Sequence, residues 1–180
     1  MDNKIAVIYK SKYGSSKKYA QWISEEVKGD LFDASEIKAE KLKEYDIIVY
    51  GGGLYASGIS GVSLITKNLH ILKDKKIIVY TVGLASTDKK EIFIPIIEKN
   101  FPKPMGENIE FFHFRGGIEY KKLSLLHKSM MSMLKKVTAK KSEDELTDEE
   151  REFLATYGDK VDFTDKNTIT PLVNYINNCI

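Results

Sequence analysis

Cysteine occurs once in these 180 residues, at the penultimate position, Cys179. One thiol makes neither an intrachain disulfide nor a cysteine-built metal cluster, and such sparing use fits a reducing compartment. Histidine is nearly as scarce. His70, His113 and His127 lie far apart, with no paired cysteines or carboxylates at ligand spacing, so no metal site is expected. No Ser-His-Asp arrangement can be argued from spacing either. No run reaches the roughly 18 apolar residues of a membrane span. A net charge of only +2 lacks the polyelectrolyte character of many nucleic-acid binders, and no nucleic-acid partner is expected. The first apolar run starts at Ile5, which argues against a leading signal peptide; a cytoplasmic protein is expected.

What remains is a chain of ordinary composition, 42% hydrophobic and 30% charged, with the length of one domain that buries a substantial core. Apolar, β-branched runs recur at residues 5–9, 46–50 (DIIVY), 77–82 (IIVYTV) and 109–114 (IEFFHF), with a weaker one at 30–34 (DLFDA). The first three of the stronger runs are almost continuously hydrophobic, as strands covered on both faces tend to be. Helical patterns alternate with them. Tyr19, Ala20, Ile23 and Val27 form a stripe stopped by Gly29. Ser86 or Thr87 caps a helix running to Asn100, with Pro95 kinking it or delaying its start. Thr170 as N-cap and Pro171 at the first position open a last helix. Residues 60–72 form the least convincing helix, with Gly58 and Gly61 beside its start. Strand and helix in alternation predict an α/β fold, a doubly wound five-stranded parallel sheet whose ligands sit at the carboxyl ends of the strands.

About fifty residues separate Gly117 from Thr170, far more than a βα loop needs. Residues 118–163 are therefore read as a helical insertion after the fifth strand, within a single domain spanning 1–180. Its first part, 118–141, holds seven lysines and one acid, Glu119; its second part, SEDELTDEERE, is acidic, with Thr147 and Glu150 as a capping box and Gly158 as a stop. Leu123, Leu126, Met130, Met131, Met133 and Leu134 make an apolar stripe among Lys122, Lys128, Lys135 and Lys136. Such a stripe serves either as core packing or as a face for anionic membrane or a lipophilic substrate, so peripheral membrane contact through residues 121–141 is one expectation.

The loops carry the functional signal. YKSKYGSSKKYA (residues 9–20) joins the first strand to the first helix. Its serines offer hydroxyls beside the unpaired N–H groups and positive dipole end of that helix, and Gly14 lets the backbone turn close to an anion. Lys12, Lys17 and Lys18 raise the local potential. The plain alternative is a capped, solvated turn; the spacing is not that of a P-loop. After the third of the five strands comes GGGLYASG (51–58), and after the fourth VGLAS (82–86). A phosphate cradle beside an aromatic-bearing glycine loop and a small-residue loop suits a flat aromatic ligand with a phosphate tail. Gly51, Gly53 and Ala56 also satisfy G-x-G-x-x-A, the dinucleotide pattern, but after the wrong strand and without an acid at the end of the next one.

The SKYGSS of residues 11–16 resembles the flavodoxin phosphate loop, a T/S-x-T-G-x-T pattern, with Tyr13 where that family prefers threonine. GGGLYASG resembles the flavodoxin loop that lays an aromatic ring against the isoalloxazine of FMN. The resemblance covers residues 4 to about 117 and the last helix, and implies strand order 2-1-3-4-5. It places Ser11, Lys12, Tyr13, Gly14, Ser15 and Ser16 at the phosphate, and Gly53, Leu54, Tyr55, Ala56, Val82, Gly83, Leu84 and Ala85 around the ring. The insertion, with Phe114, Gly116 or Gly117, and Tyr120, is similar to that of the flavodoxin-type, quinone-dependent protoporphyrinogen oxidases. Lys12, Lys17, Lys18, Arg115, Lys121 and Lys122 near the loops favour a reduced, anionic flavin. Three functions follow. They are a flavin oxidoreductase passing electrons to or from a quinone-type or other lipophilic partner, a one-electron carrier for a redox partner protein, and a non-redox module with a decayed flavin site.

Overall fold

A strand that is apolar on both faces is stable only between two covering layers, and this chain supplies them. The computed structural model describes residues 3–179. In chain order its elements are β1 (Ile5–Lys10), α1 (Ser15–Val27), β2 (Asp30–Asp33), α2 (Ala39–Leu42), β3 (Ile47–Tyr55), β4 (Gly58–Ile59), α3 (Ser63–Thr66), β5 (Lys76–Gly83), α4 (Ile94–Asn100), β6 (Ile109–Arg115), β7 (Gly117–Glu119), α5 (Leu125–Thr138), α6 (Asp148–Thr156), β8 (Lys160–Asp162) and α7 (Thr170–Asn177). The principal sheet runs β2-β1-β3-β5-β6, all parallel, which is the expected order 2-1-3-4-5 of five strands; β4 folds back antiparallel on the end of β3.

Alternation along each strand divides the core in two. Val7, Val49, Ile78 and Tyr80 face α1 and α7, where Tyr19, Ala20, Ile23, Val27, Leu172 and Ile176 meet them. Ala6, Ile8, Ile48, Tyr50, Ile77 and Val79 point the other way, onto Leu42, Ile65 and Leu72. The predicted stripe of α1 is thus its buried face. Its stop differs slightly: Lys28, not Gly29, takes the left-handed conformation, with φ 53°.

Three helices depart from the sequence expectation. Residues 60–72 yield only the single turn of α3 and a 3-10 turn at Leu69–Ile71, because Gly61 sits at φ 70° under the Tyr50 hydroxyl and delays the helix. Ser86 bonds Asp88 instead of capping a long helix; a 3-10 turn at Lys90–Phe93 comes first, and α4 starts at Ile94 with Pro95 in the first turn, where its missing N–H has no partner to lose. Thr170 is the first helical residue of α7 and Ile169 its cap, because the 3-10 turn Lys166–Ile169 already leads into the helix.

The insertion is pinched at its base by β7 and β8, paired antiparallel from Gly117 opposite Asp162 to Glu119 opposite Lys160. Ser124 caps α5, accepting from the His127 N–H, and the Thr147 and Glu150 capping box opens α6 as the sequence predicts. Among the described residues no helix is long and apolar enough to cross a membrane.

His113 on β6 lies opposite Thr81 on β5, with Nδ1 2.7 Å from the Thr81 hydroxyl and its ring stacked on Phe93 at 3.7 Å. Burial, aided by the charge of Lys90, pushes the imidazole from 6.5 to about 4. The unfolded chain therefore takes up this proton first as pH falls, and stability drops between those values. We expect urea denaturation to show a loss of roughly 2–3 kcal/mol from pH 6.5 to 4. His113→Gln should flatten most of that limb; an unchanged slope would show that another group carries it.

Candidate functional site

The loops leaving β1, β3 and β5 meet at the carboxyl edge of the sheet, and local packing fixes each of them. In the first loop Gly14 sits at φ 101°, where a side chain is strained even though a Cβ would meet nothing within 4 Å. Its N–H donates to Ser11 Oγ at 3.0 Å. No side chain caps α1, so the N–H groups of its first turn face the loop. Ser15 Oγ accepts from the Gly117 N–H at 3.1 Å, which leaves its own proton to donate. The start of α1 is held from below by Tyr80, whose hydroxyl donates to the Ser16 carbonyl at 2.9 Å.

The three glycines ending β3 do different work. Gly51 pairs with Tyr80, and a Cβ there would overlap the tyrosine ring. A Cβ on Gly52 would come within 2.7 Å of the Ile59 side chain and 2.8 Å of the Ser60 carbonyl. Of the three only Gly53 lines the cleft, and a Cβ there would come within 3.0 Å of the Tyr55 ring. Ala56 and Ser57, at φ 48° and 64°, then form the two-residue turn into β4 that presents Tyr55.

Together these loops bound a cleft. Ser11, Tyr13, Ser15, Ser16, Gly53, Leu54, Tyr55, Ala56, Val82, Gly83 and Leu84 line it. Of the other residues singled out in the sequence, Lys12 and Gly14 lie on its outer flank with Lys18 and Lys122, and Ala85 faces a neighbouring groove. Sequence reasoning did not bring in Gly116, Gly117, Ile118, Leu123, His127, Met130 and Met131, which close the remaining side from β7 and α5. The apolar stripe that includes Leu123, Met130 and Met131 and the resemblance at Gly116 or Gly117 were the signals for them; nothing local marked His127.

Tyr13, offered by the sequence reading as a phosphate contact, turns its hydroxyl toward the insertion. The Ser124 N–H donates to it at 3.3 Å, and it lies 2.7 Å from His127 Nδ1. In the tautomer that carries the imidazole proton on Nε2, the Tyr13 hydroxyl donates to Nδ1. His127 stacks on Tyr55 at 4.8 Å, with Tyr13 edge-on to both rings. Burial and then the Lys12 charge lower the His127 pKa, while burial and then Tyr13 raise Tyr55 to about 12. For Tyr13 burial raises the pKa, but hydrogen bonds from Ser124 and the Lys12 charge outweigh it, and the net shift is down.

Half of the cationic residues near the loops are neutralised within the chain. Lys18 pairs with Asp162 at 3.3 Å, Lys122 with Glu119 at 2.9 Å and Arg115 with Glu152 at 2.7 Å. Among the described residues no three His, Cys, Asp or Glu side chains form a metal site.

A doubly wound sheet with an uncapped helix N-terminus, serine hydroxyls and an aromatic slot at its switch point defines a binder of phosphate-bearing ring cofactors. The flavodoxin-domain family profile matches residues 6–145, and the chain belongs to that family. Its cofactor is accordingly FMN. The residues present fit it: the first turn of α1 with Gly14, Ser11, Ser15 and Ser16 would hold the phosphate, and the slot of Leu54, Tyr55 and Val82 to Leu84 the ring. When bound, FMN supplies one- and two-electron redox chemistry. Solved structures similar to the chain include the Trp repressor binding protein of Bacillus subtilis, at 17% identity over 63% of this chain and 85% of that one, with a TM-score of 0.48. Oxidised flavodoxin 2 of Bacillus cereus is 19% identical over 62% and 84%, with a TM-score of 0.41. Two-electron reduced flavodoxin of Megasphaera elsdenii is 17% identical over 61% and 82%, with a TM-score of 0.43. No curated protein matches the chain by sequence.

Gly14→Ala tests the cradle. The left-handed conformation should cost about 1–2 kcal/mol, read in urea denaturation. A loop that relaxes to avoid this strain loses its phosphate geometry, so the FMN dissociation constant should rise about tenfold. Unchanged FMN affinity would place the phosphate elsewhere.

Proposed function

We propose that the protein is an FMN-dependent oxidoreductase passing electrons to or from a quinone-type or other lipophilic partner, in the manner of a protoporphyrinogen dehydrogenase. The observation that carries this reading is the wall that the insertion adds to the flavin cleft. Ile118, Leu123, Met130 and Met131 close that side with apolar surface, where an exposed, polar approach would suit a carrier docking on another protein. The chain's own residues have plain tasks in such a site. The α1 turn binds the phosphate, Tyr55 orients the ring, and the α5 side chains exclude water from it. His127 bonds the Tyr13 hydroxyl through Nδ1, keeping the aromatic wall in one arrangement.

The same helix offers a way for a lipophilic molecule to arrive. Leu126, Met133 and Val137 share one face of α5 and are exposed, with Leu125, Met130 and Leu134 exposed beside them. Lys128, Lys135, Lys136, Lys140 and Lys141 accompany them with no acid between residues 125 and 141. An apolar stripe among lysines suits the surface of an anionic bilayer, in which quinones dissolve.

An anaerobic reductive titration of the FMN-loaded protein should show two-electron reduction with little neutral semiquinone. A very low potential with abundant semiquinone would instead mark a one-electron carrier, and failure to retain FMN a non-redox module. Sedimentation with phosphatidylglycerol-containing vesicles should deplete the wild type from solution. Reversing Lys135 and Lys136 to glutamate should weaken that partitioning at least about tenfold; equal partitioning would remove the membrane from the reading.

A further inference from the structure

Beside the flavin cleft, and continuous with it through Leu54, Gly83, Leu84, Ile118 and Met131, a second groove of about 400 Å³ runs between the sheet edge and the insertion. It is larger than the flavin cleft and is used by nothing derived above. Phe93 stands on the sheet side, Met131 and Leu134 descend from α5, and Phe153 of α6 and Phe163 complete an aromatic wall.

The charge on its floor is already spent. The Arg115 guanidinium stacks on the Phe163 ring at 3.7 Å, donates from Nε to the Leu84 carbonyl at 3.2 Å and pairs with Glu152 at 2.7 Å. Glu149 and Glu150 stand on the rim, and Glu150 is held by Lys141 at 2.6 Å. An anionic ligand would meet carboxylates at the mouth and a cation already satisfied within. A cationic one would meet Arg115. A neutral ring compound lays its faces on aromatic and aliphatic side chains and brings no charge to be desolvated on entering.

The geometry points to this groove as the binding site for a flat, neutral ring compound held next to the flavin ring, with the paired Arg115 and Glu152 as its selectivity element against anions. This rests on the oxidoreductase reading for the ligand's role, and on the groove alone for its chemistry. Continuity with the cleft at Leu84 and Met131 is what sets such a ligand beside the cofactor.

The test is equilibrium dialysis of oxidised, FMN-saturated protein against 2-methyl-1,4-naphthoquinone, with 1,4-naphthoquinone-2-sulfonate as the anionic counterpart. Saturable 1:1 binding of the neutral quinone is expected, with the sulfonate at least about tenfold weaker. Ile92→Trp, at an exposed position, and Thr156→Trp, at a half-buried one, fill the groove and should each weaken quinone binding at least about tenfold. Glu152→Gln, which frees Arg115, should bring the sulfonate level with the neutral compound. No saturable binding, binding untouched by both tryptophans, binding abolished by FMN, or a sulfonate as tight as the quinone in the wild type would each overturn the assignment. Flavin absorbance of the dialysed protein reports cofactor retention separately. Lost flavin therefore counts against the oxidoreductase reading, while the comparison of wild type with the tryptophan variants still scores the groove.

Discussion

The bond from the Tyr80 hydroxyl to the Ser16 carbonyl ties the cofactor cradle to the centre of the sheet. Tyr80 is fully buried on β5, and its ring takes the space that Gly51 leaves on β3. A larger residue at 51 would displace the ring, and the start of α1 would lose its anchor. The helix whose N–H groups face the phosphate position is thus set by a fixed point in the core, not by a cap of its own. Burial raises the Tyr80 pKa well above its ordinary value, so the hydroxyl stays a donor at any pH where the fold survives. Leaving α1 uncapped has a consequence: a helix stripped of its capping side chain forgoes on the order of 1 kcal/mol, which an anion at the same N–H groups can supply.

From that anchor the insertion is built onto the cleft and not merely appended after the sheet. The first loop reaches it at several points: Tyr13 to Ser124 and His127, Lys12 to Ser124, Ser15 to Gly117, and Lys18 to Asp162 and Thr164. Arg115, at the end of β6, adds Glu152 on α6. Three of these bonds are exposed and the others only part-buried, so each alone is worth little. Their placement matters more, because all of them originate within residues 11–18 or at the end of β6. Movement of α5 and a change in the phosphate loop are therefore mechanically the same event, with Tyr13 as the shared part.

The sheet was legible in the sequence because its signals are local and redundant. Continuous apolar runs, the α1 stripe and the Thr147 and Glu150 capping box each need only a few neighbouring residues. So did the pattern of the cofactor loops. What stayed illegible depends on partners far away in the chain. Nothing near GGG says that Gly51 and Gly52 serve packing against Tyr80 and Ile59 while Gly53 alone borders the cleft. Tyr13 and His127 are 114 residues apart, so a threonine-like role for Tyr13 was the natural reading of a loop seen alone. Helix starts failed for a related reason: Ser86 has a nearer acceptor in Asp88, and Gly61 is constrained by Tyr50 on the strand beneath.

Charge is where the structure changes the argument most. Read along the chain, six cations crowd the cofactor loops. In space Lys18, Lys122 and Arg115 have carboxylate partners, all three within the insertion, while Lys12, Lys17 and Lys121 have none in salt-bridge range among the described residues. Exposed pairs of this kind leave the local potential near neutral beyond a Debye length. The cleft is therefore tuned chiefly by what lies within it: the Tyr55 hydroxyl, whose pKa burial raises, the His127 imidazole, whose pKa burial and then Lys12 lower, and the apolar side chains of α5. Lys12, on the flank of the phosphate loop and without a carboxylate in salt-bridge range among the described residues, would favour an anionic reduced flavin held in the cleft. The insertion thus lines the cleft with apolar side chains, and among the described residues only Lys141 of its basic half pairs with the acidic half, at Glu150.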